Sequence, residues 1–150
     1  MQRIMTVSAV IFIFSLVLGE AGIAYAAEKH GSVTDVKLRM SFEGGEILVN
    51  LYDTQASREL VAMLPLTLPF EDYARTEKIA YLPQKLSSGA SPSSSSSGDF
   101  TYYSPWGNLA VFYKGFGQSG SLYVLGKIES GKEELAGMGR NFTATIEVVK

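Results

Sequence analysis

The sequence predicts a mainly β fold: a closed eight-stranded β-barrel with two short capping helices. Apolar residues recur at every second position in several short segments, which is the period of a strand with one buried face. Residues typical of turns separate these segments, and only two stretches carry helix signals. Because strands dominate, closure into a barrel is the expected architecture, since it leaves no exposed sheet edge.

The first 26 residues are not part of the predicted barrel. A basic start with Arg3 precedes an almost wholly apolar run, Ile4 to Leu18, and the small-residue sequence Ala24-Tyr25-Ala26 follows. This order is typical of a secretory signal peptide that is cleaved after Ala26. The alternative is an uncleaved membrane anchor, which Glu20 disfavours because a span needs about 20 apolar residues. We therefore expect an exported protein, periplasmic or extracellular, with no membrane association after cleavage.

The remaining composition excludes several classes of function. We expect residues 27–35 to form a flexible leader and residues 36–150 to form one domain. A formal net charge of −2 gives no electrostatic attraction to nucleic acid. The chain has no cysteine, which excludes disulfides and thiol chemistry, and its one histidine, His30, lies in the leader. We therefore expect neither a metal site nor a bound cofactor.

The domain is predicted to begin with a hairpin followed by a helix. Alternating apolar residues from Val36 to Tyr52 flank a turn at residues 43–46. Asp53 or Thr54 can then cap a helix from about Gln55 to Leu64, because their side-chain oxygens accept bonds from free backbone N–H groups. A proline follows this helix and ends it.

Two strands and a serine-rich tract are predicted next. The strands cover residues 66–70 and 79–82, and Pro69 suggests that the first is an edge strand or is irregular. The tract covers residues 87–98 and contains five consecutive serines, Ser93 to Ser97. We predict a mobile surface loop here, because the tract cannot bury enough apolar surface to offset its ordering entropy. The alternative is a domain linker, but the flanking segments are too small for independent cores.

Four strands and a second helix complete the prediction. Strands at 99–104 and 109–113 enclose a turn, Pro105-Trp106-Gly107-Asn108, and a further strand covers 122–127. Ser130 and Glu133 have the spacing of a capping box, which predicts a short helix toward Met138. The last strand has apolar residues at 142, 144, 146 and 148.

Two sequence blocks carry a family resemblance. They are DYARTEKIAYLP, from Asp72 to Pro83, and YSPWGNLAVFY, from Tyr103 to Tyr113. Together they resemble the bacterial cyclophilin-like proteins, and the likeness runs from about Val36 to Lys150. The resemblance implies an eight-stranded barrel closed by two helices, which agrees with the strand count above. It also implies a possible flavodoxin-like neighbour, since the family is sometimes linked with such proteins.

Two shorter pieces resemble the true cyclophilins, which are prolyl isomerases. GDFT, beginning at Gly98, and LGKI, beginning at Leu125, are similar to segments of those enzymes. Their catalytic residues do not carry over. At the ungapped positions of the enzymes' arginine, glutamine, histidine and tryptophan stand Ser88, Ser96, Leu122 and Gly117. A gapped alignment would be needed to bring Arg75, Lys78 or Lys85 into the place of the arginine.

Five aromatic and two cationic residues form the candidate ligand-binding set. Prolyl isomerisation needs an apolar pocket for the ring and a donor near the proline nitrogen, which weakens the amide resonance. The candidates are Tyr81, Tyr103, Trp106, Phe112, Phe116, Arg75 and Lys78. The alternative is that the aromatics fill the barrel core, with Trp106 as the expected exception because turns lie at the surface. Glu77 and Lys78 form either an ion pair at a pocket rim or a solvated pair.

Two functions are compatible with these observations. The first is an exported module that binds a peptide or small molecule, which the missing isomerase residues and the retained aromatics favour. The second is a divergent peptidyl-prolyl isomerase that assists folding outside the cytoplasm, which only the fold and the two short pieces favour.

Overall fold

The computed structural model describes residues 33–88, 95–117 and 119–149. The predicted signal peptide and most of the leader lie outside these residues, but the last residues of the predicted leader, Val33 to Asp35, already belong to the first strand. Within the described residues, no helix has both the length and the apolar character needed to span a membrane.

The described part of the chain contains ten strands and two helices, joined by turns and loops. In order they are β1 (Val33–Phe42), β2 (Gly45–Tyr52), α1 (Gln55–Met63), β3 (Leu66–Tyr73), β4 (Glu77–Tyr81), β5 (Ser95–Ser96), β6 (Asp99–Tyr103), β7 (Asn108–Phe112), β8 (Phe116–Gly117), β9 (Leu122–Ser130), α2 (Lys132–Ala136) and β10 (Phe142–Val148).

Eight of these strands form a closed antiparallel barrel in the order β1-β10-β3-β4-β7-β6-β9-β2. Closure joins the first and last strands, because Met40 of β1 lies opposite Ile146 of β10. β5 and β8 form a separate two-stranded sheet. The prediction of a mainly β, eight-stranded closed barrel with two helices is confirmed.

The barrel interior is the main core, and both helices pack against it. Side chains that alternate along the strands point inward and are fully buried, as in Leu38, Met40, Ile47 and Val49. α1 adds Leu60 to the same core, and α2 adds Leu135. Tyr102 is also buried there, and its hydroxyl accepts a bond of 3.1 Å from the backbone N–H of Leu86.

The first helix begins as the sequence predicts. Thr54 is its N-cap and accepts a bond of 3.0 Å from the backbone N–H of Ser57, which satisfies one of the free donors of the first turn. Pro69 lies in the part of β3 that pairs with β10, whereas the register of β3 with β4 covers only Glu71 to Tyr73. A proline is acceptable at that place because it needs no ladder bond on its second side.

The second helix begins differently from the prediction. Gly131, not Ser130, is the N-cap of α2, and no side chain caps the helix. Ser130 still belongs to β9, where it lies opposite Leu48 of β2. Because the backbone of Ser130 is committed to the sheet, the predicted capping box cannot form, and Gly131 makes the turn into the helix with a φ of +85°.

The described end of the serine-rich tract belongs to the fold. Ser95 and Ser96 form β5, and Ser95 is buried. The backbone N–H of Ser96 donates to the carboxylate of Asp99 at 2.7 Å, and the Ser97 hydroxyl donates to the Tyr113 carbonyl at 3.1 Å. The prediction of a surface loop over the whole tract therefore does not describe residues 95–98, while residues 89–94 lie outside the described part of the chain.

Candidate functional site

A second, smaller apolar cluster lies on the outer face of the barrel wall. It consists of the buried residues Ile79, Ala110, Phe112 and Leu122, with the partly buried Tyr103 packed against them. These residues come from β4, β7, β9 and β6, which are neighbours in the barrel. Because side chains alternate along a strand, the residues between them, such as Leu109 and Val111, belong to the interior core instead.

A cavity of about 420 Å³ lies over this outer cluster. All five residues of the cluster line it, so that its floor is apolar. Cavities of about 300 to 1,000 Å³ with an apolar lining and a few polar groups are the usual sites for small ligands. The outer face of the wall formed by β4, β7, β6 and β9 is therefore the candidate site.

Three aromatic rings form one wall of the cavity. Trp106 is in edge-to-face contact with Tyr73, with ring centroids 5.7 Å apart, and with Tyr103 at 5.4 Å. The turn between β6 and β7 places Trp106 there, and Gly107 allows that turn with a φ of +71°. The Trp106 side chain is 47% exposed, although it packs against two rings. A large, half-exposed ring at the mouth of a cavity is available for contact with a ligand.

Glu77 supplies a carboxyl group to the cavity. It lies opposite Phe112 in the register of β4 with β7, so both side chains are on the outer face. Burial raises the pKa of the Glu77 carboxyl to about 7, because the charged form is poorly solvated there. Among the described residues, no side chain or backbone group bonds to the Glu77 carboxyl, and none forms an ion pair with it.

Asn108 supplies a second acceptor. Only 1% of its surface is exposed, and its Nδ2 donates to the carbonyl of Leu109 at 2.9 Å. Its Oδ1 is buried without a hydrogen-bond partner among the described residues. A buried oxygen without a donor is unusual in a folded protein, because it loses the bonds it would make with water. Asn108 lines the cavity, so a ligand can supply that donor.

The structure brings three of the seven predicted site residues together. Tyr103, Trp106 and Phe112 all line the cavity. Tyr81 is exposed and lines a separate depression of about 290 Å³ beside Phe70 and Phe142. The side chain of Phe116 lies outside the described part of the chain, although its backbone pairs with Ser96 in β8.

The cationic candidates are not part of the cavity lining. Arg75 lies in the turn between β3 and β4 with a φ of +58°, and its side chain is exposed. Lys85 is exposed and lies beside Gly107. Within the described residues, no lysine or arginine lines the cavity.

Lys78 points into the barrel, away from the cavity. It is 1% exposed, and its ammonium donates to the Asp72 carboxylate at 2.8 Å and to the carbonyl of Met138. It also lies 4.8 Å from the centre of the Tyr113 ring. The hypothesis of a Glu77–Lys78 pair is therefore wrong, because adjacent residues on a strand face opposite sides.

The bonds around Asp72 complete this buried network. Burial of Asp72 disfavours its charged form, yet the bonds donated by Lys78 and Tyr113 outweigh that cost and lower the pKa of the carboxyl. The Tyr113 hydroxyl donates to Asp72 at 2.6 Å. Burial and that same bond raise the pKa of Tyr113 to about 12. The contacts of the Lys78 ammonium therefore all belong to this network and not to the cavity.

Eight of the eleven described residues that line the cavity are absent from the predicted set, and Tyr73, Glu77 and Asn108 matter most among them. Glu77 was considered only as the partner of Lys78. Tyr73, Glu77 and Asn108 all lie in the two sequence blocks that carry the resemblance. Strand alternation could have found two of them, since Glu77 shares a face with Ile79, and Asn108 shares a face with Phe112. The position of Tyr73 beside Trp106 depends on a contact between the end of β3 and the turn between β6 and β7, for which the sequence has no signal.

Comparison with known proteins supports the fold. The family model described as the cyclophilin-like family matches residues 40–147. The solution structure of a hypothetical protein from Archaeoglobus fulgidus has the same fold, with a TM-score of 0.61 and 19% sequence identity, over 80% of this chain and 98% of that one. No curated protein matches the chain. The matched region spans most of the barrel, and the chain belongs to the cyclophilin-like family.

Proposed function

We propose that this protein is an exported ligand-binding module that holds an apolar or aromatic group of a peptide or small molecule in the outer-face cavity. The observation that carries the proposal is the combination of an apolar floor with a half-exposed aromatic wall at Trp106. Covering such a surface with a ring or an aliphatic group favours binding, because apolar area is removed from water.

Binding without catalysis is the better supported proposal. A prolyl isomerase of the cyclophilin type needs a cationic donor beside the bound proline. Arg75, Lys78 and Lys85 were the available candidates, and none of them lines the cavity. Lys78 is also committed to Asp72 in the barrel interior. A divergent isomerase is therefore the alternative to be tested, and the binding module is the working proposal.

Trp106 offers a direct test of binding, because it is the only tryptophan in the chain. We expect its fluorescence to change when a proline-containing peptide or a small aromatic fragment enters the cavity. Trp106→Ala should abolish binding measured by calorimetry while leaving the melting temperature within a few degrees of the parent, since the ring is half exposed. Tyr81→Ala removes an exposed aromatic outside the cavity and should keep binding. Unchanged binding by Trp106→Ala would overturn the proposal.

An isomerase assay distinguishes the alternative. We expect no acceleration of prolyl isomerisation in a proline peptide by the folded protein, with or without cyclosporin. Acceleration that cyclosporin blocks would instead favour the enzyme, and Arg75, Lys78 and Lys85 would then be replaced one at a time.

Export and a partner protein belong to the same proposal on separate grounds. The N-terminal sequence up to Ala26 supports export, because its order of basic, apolar and small residues suits the secretion machinery. A flavodoxin-like neighbour is proposed from the family resemblance alone, and co-purification from the source cells tests it.

A further inference from the structure

Two of the polar groups in the cavity are oxygens that are free to accept bonds from a ligand. Glu77 has a carboxyl group without a partner among the described residues, and Asn108 has a buried Oδ1 without one. Four of the lining residues carry a hydroxyl group. Those of Tyr73 and Tyr103 make no bond among the described residues, whereas those of Thr76 and Ser119 already make bonds. The Thr76 hydroxyl donates to the Tyr73 carbonyl at 3.4 Å, and the Ser119 hydroxyl accepts from the Ser121 N–H at 3.2 Å.

The charge of the cavity is also of one sign. Glu77 is the only charged residue among the described residues that line it. A half-buried carboxylate without a cation costs folding free energy, because water is partly removed and no counter-charge replaces it. Asn108 is fully buried and adds a second unsatisfied oxygen to the same cavity. Both costs are recovered if the ligand brings a positive charge and N–H donors.

The aromatic wall of the cavity also favours a positively charged ligand. The faces of tryptophan and tyrosine rings carry negative electrostatic potential and attract ammonium groups. Trp106, Tyr73 and Tyr103 therefore complement a cation with their rings, while the floor of Ile79 and Phe112 complements an apolar body.

We propose that the ligand of this cavity is a protonated amine attached to an apolar body, with its ammonium at Glu77 and Asn108 and its apolar part over the outer cluster. This inference rests on the proposed function, because it names the chemical class of the ligand for the same cavity. A free amine and the amine of a peptide side chain share this chemistry, and the experiment separates them.

The test compares three probes of similar size that differ in charge. They are phenethylamine, 2-phenylethanol and 3-phenylpropanoate, titrated into the full protein at about pH 8, where an alkylamine is protonated because its pKa is near 10. Calorimetry and the fluorescence of Trp106 report binding. We expect the amine to bind at least tenfold more tightly than the alcohol, and the propanoate to bind most weakly. N-acetyl-lysine methylamide, in the same titration, tests the peptide-borne form of the amine.

Glu77→Gln tests the role of the carboxylate. It keeps the shape of the side chain and removes the charge, so the amine should lose most of its preference over the alcohol. Glu71→Gln makes the same change on the neighbouring strand outside the cavity and should leave the preference unchanged. Glu77→Asp keeps the charge and should retain a preference for the amine, which separates charge from side-chain shape. Thermal melting of each variant shows that it is folded.

The outcomes separate this inference from the proposed function. If the alcohol binds as tightly as the amine, or the propanoate binds best, the inference is wrong and the binding module stands. The inference is also wrong, and the binding module stands, if the Glu77→Gln variant prefers the amine over the alcohol as strongly as the parent does. If neither the probes nor a proline peptide binds the folded protein, both proposals fail.

Discussion

Glu77 and Lys78 are adjacent on β4, yet their side chains have opposite surroundings. Lys78 points into the barrel, where Asp72 and the Met138 carbonyl accept its protons. Glu77 points outward into the cavity and has no partner among the described residues. A carboxyl group in such a position lowers the stability of the fold when it is charged. Carboxyl groups of this kind are common at ligand-binding and catalytic sites.

The pH dependence of the free energy of unfolding should show the raised pKa of Glu77. Its folded pKa of about 7 is above the ordinary value of 4.5, so the folded chain holds the proton more tightly than the unfolded chain does. The stability contribution of this proton is therefore complete below about pH 4.5 and is lost as the pH rises through 7. Glu77→Gln should have little effect on the melting temperature at about pH 4 and should raise it at about pH 8. An equal shift at both values would contradict the raised pKa, and exposed Glu71→Gln is the control.

The Lys78–Asp72 pair should contribute more to the free energy of unfolding than a surface ion pair does. Asp72→Ala leaves the buried ammonium without its counter-charge, and we expect a loss of about 2 to 3 kcal/mol in the free energy of unfolding. Asp53→Ala removes the exposed partner of Arg58 and should cost less than about 1 kcal/mol. Urea denaturation of both variants measures the difference. Equal losses would mean that the interior pair adds nothing beyond a solvated one.

At the scale of elements, the passage from β9 into α2 depends on one glycine. Gly131 has a φ of +85°, and a Cβ atom there would lie 1.9 Å from the backbone oxygen of Glu46 on β2. No side chain fits in that space, so only glycine lets the chain leave the sheet and begin the helix immediately. Because this constraint arises from another strand, the local sequence instead favours a capping box at Ser130.

A series of three glycine substitutions separates steric clash from backbone strain. Gly131→Ala combines both and should cost more than about 3 kcal/mol or prevent folding. Gly44 has a φ of +93° but open space around it, so we expect Gly44→Ala to lower the free energy of unfolding by about 1 to 2 kcal/mol. Gly139→Ala has neither constraint and should change stability by less than about 0.5 kcal/mol. A similar cost for Gly131→Ala and Gly44→Ala would exclude the clash with Glu46.

The elements that local chemistry determines are predicted well. The hairpin of residues 36–52 and the turn at Trp106 follow from alternation and turn residues, and both occur close to the predicted bounds. The short sheet of β5 and β8 was missed, because two-residue strands such as Ser95–Ser96 are too short to show alternation. The pairing of β1 with β10 was not predicted, because it joins opposite ends of the domain and has no local signal.

At the scale of the whole molecule, the site is where distant strands meet. Aromatic residues in the blocks made Tyr103, Trp106 and Phe112 candidates from the sequence. The sequence does not show which face of the wall carries the cavity, because that depends on the register between β4 and β7. This register places Glu77 opposite Phe112 and leaves Lys78 on the inner face, although Lys78 was expected among the ligand-binding residues.

The proposal of export concerns residues 1–26, which are not among the described residues, and it can be tested independently of the cavity. Signal peptidases accept only small side chains at the two positions that Ala24 and Ala26 would occupy. We expect the full chain, expressed in a bacterial host, to be recovered outside the cytoplasm with Ala27 as its first residue, as measured by intact mass. Ala26→Asp should block cleavage and leave the longer chain in the membrane fraction, whereas Lys29→Gln, beyond those positions, should be processed normally. Recovery of the uncleaved chain from the cytoplasm would contradict export and restrict the search for amine ligands to the cytoplasm.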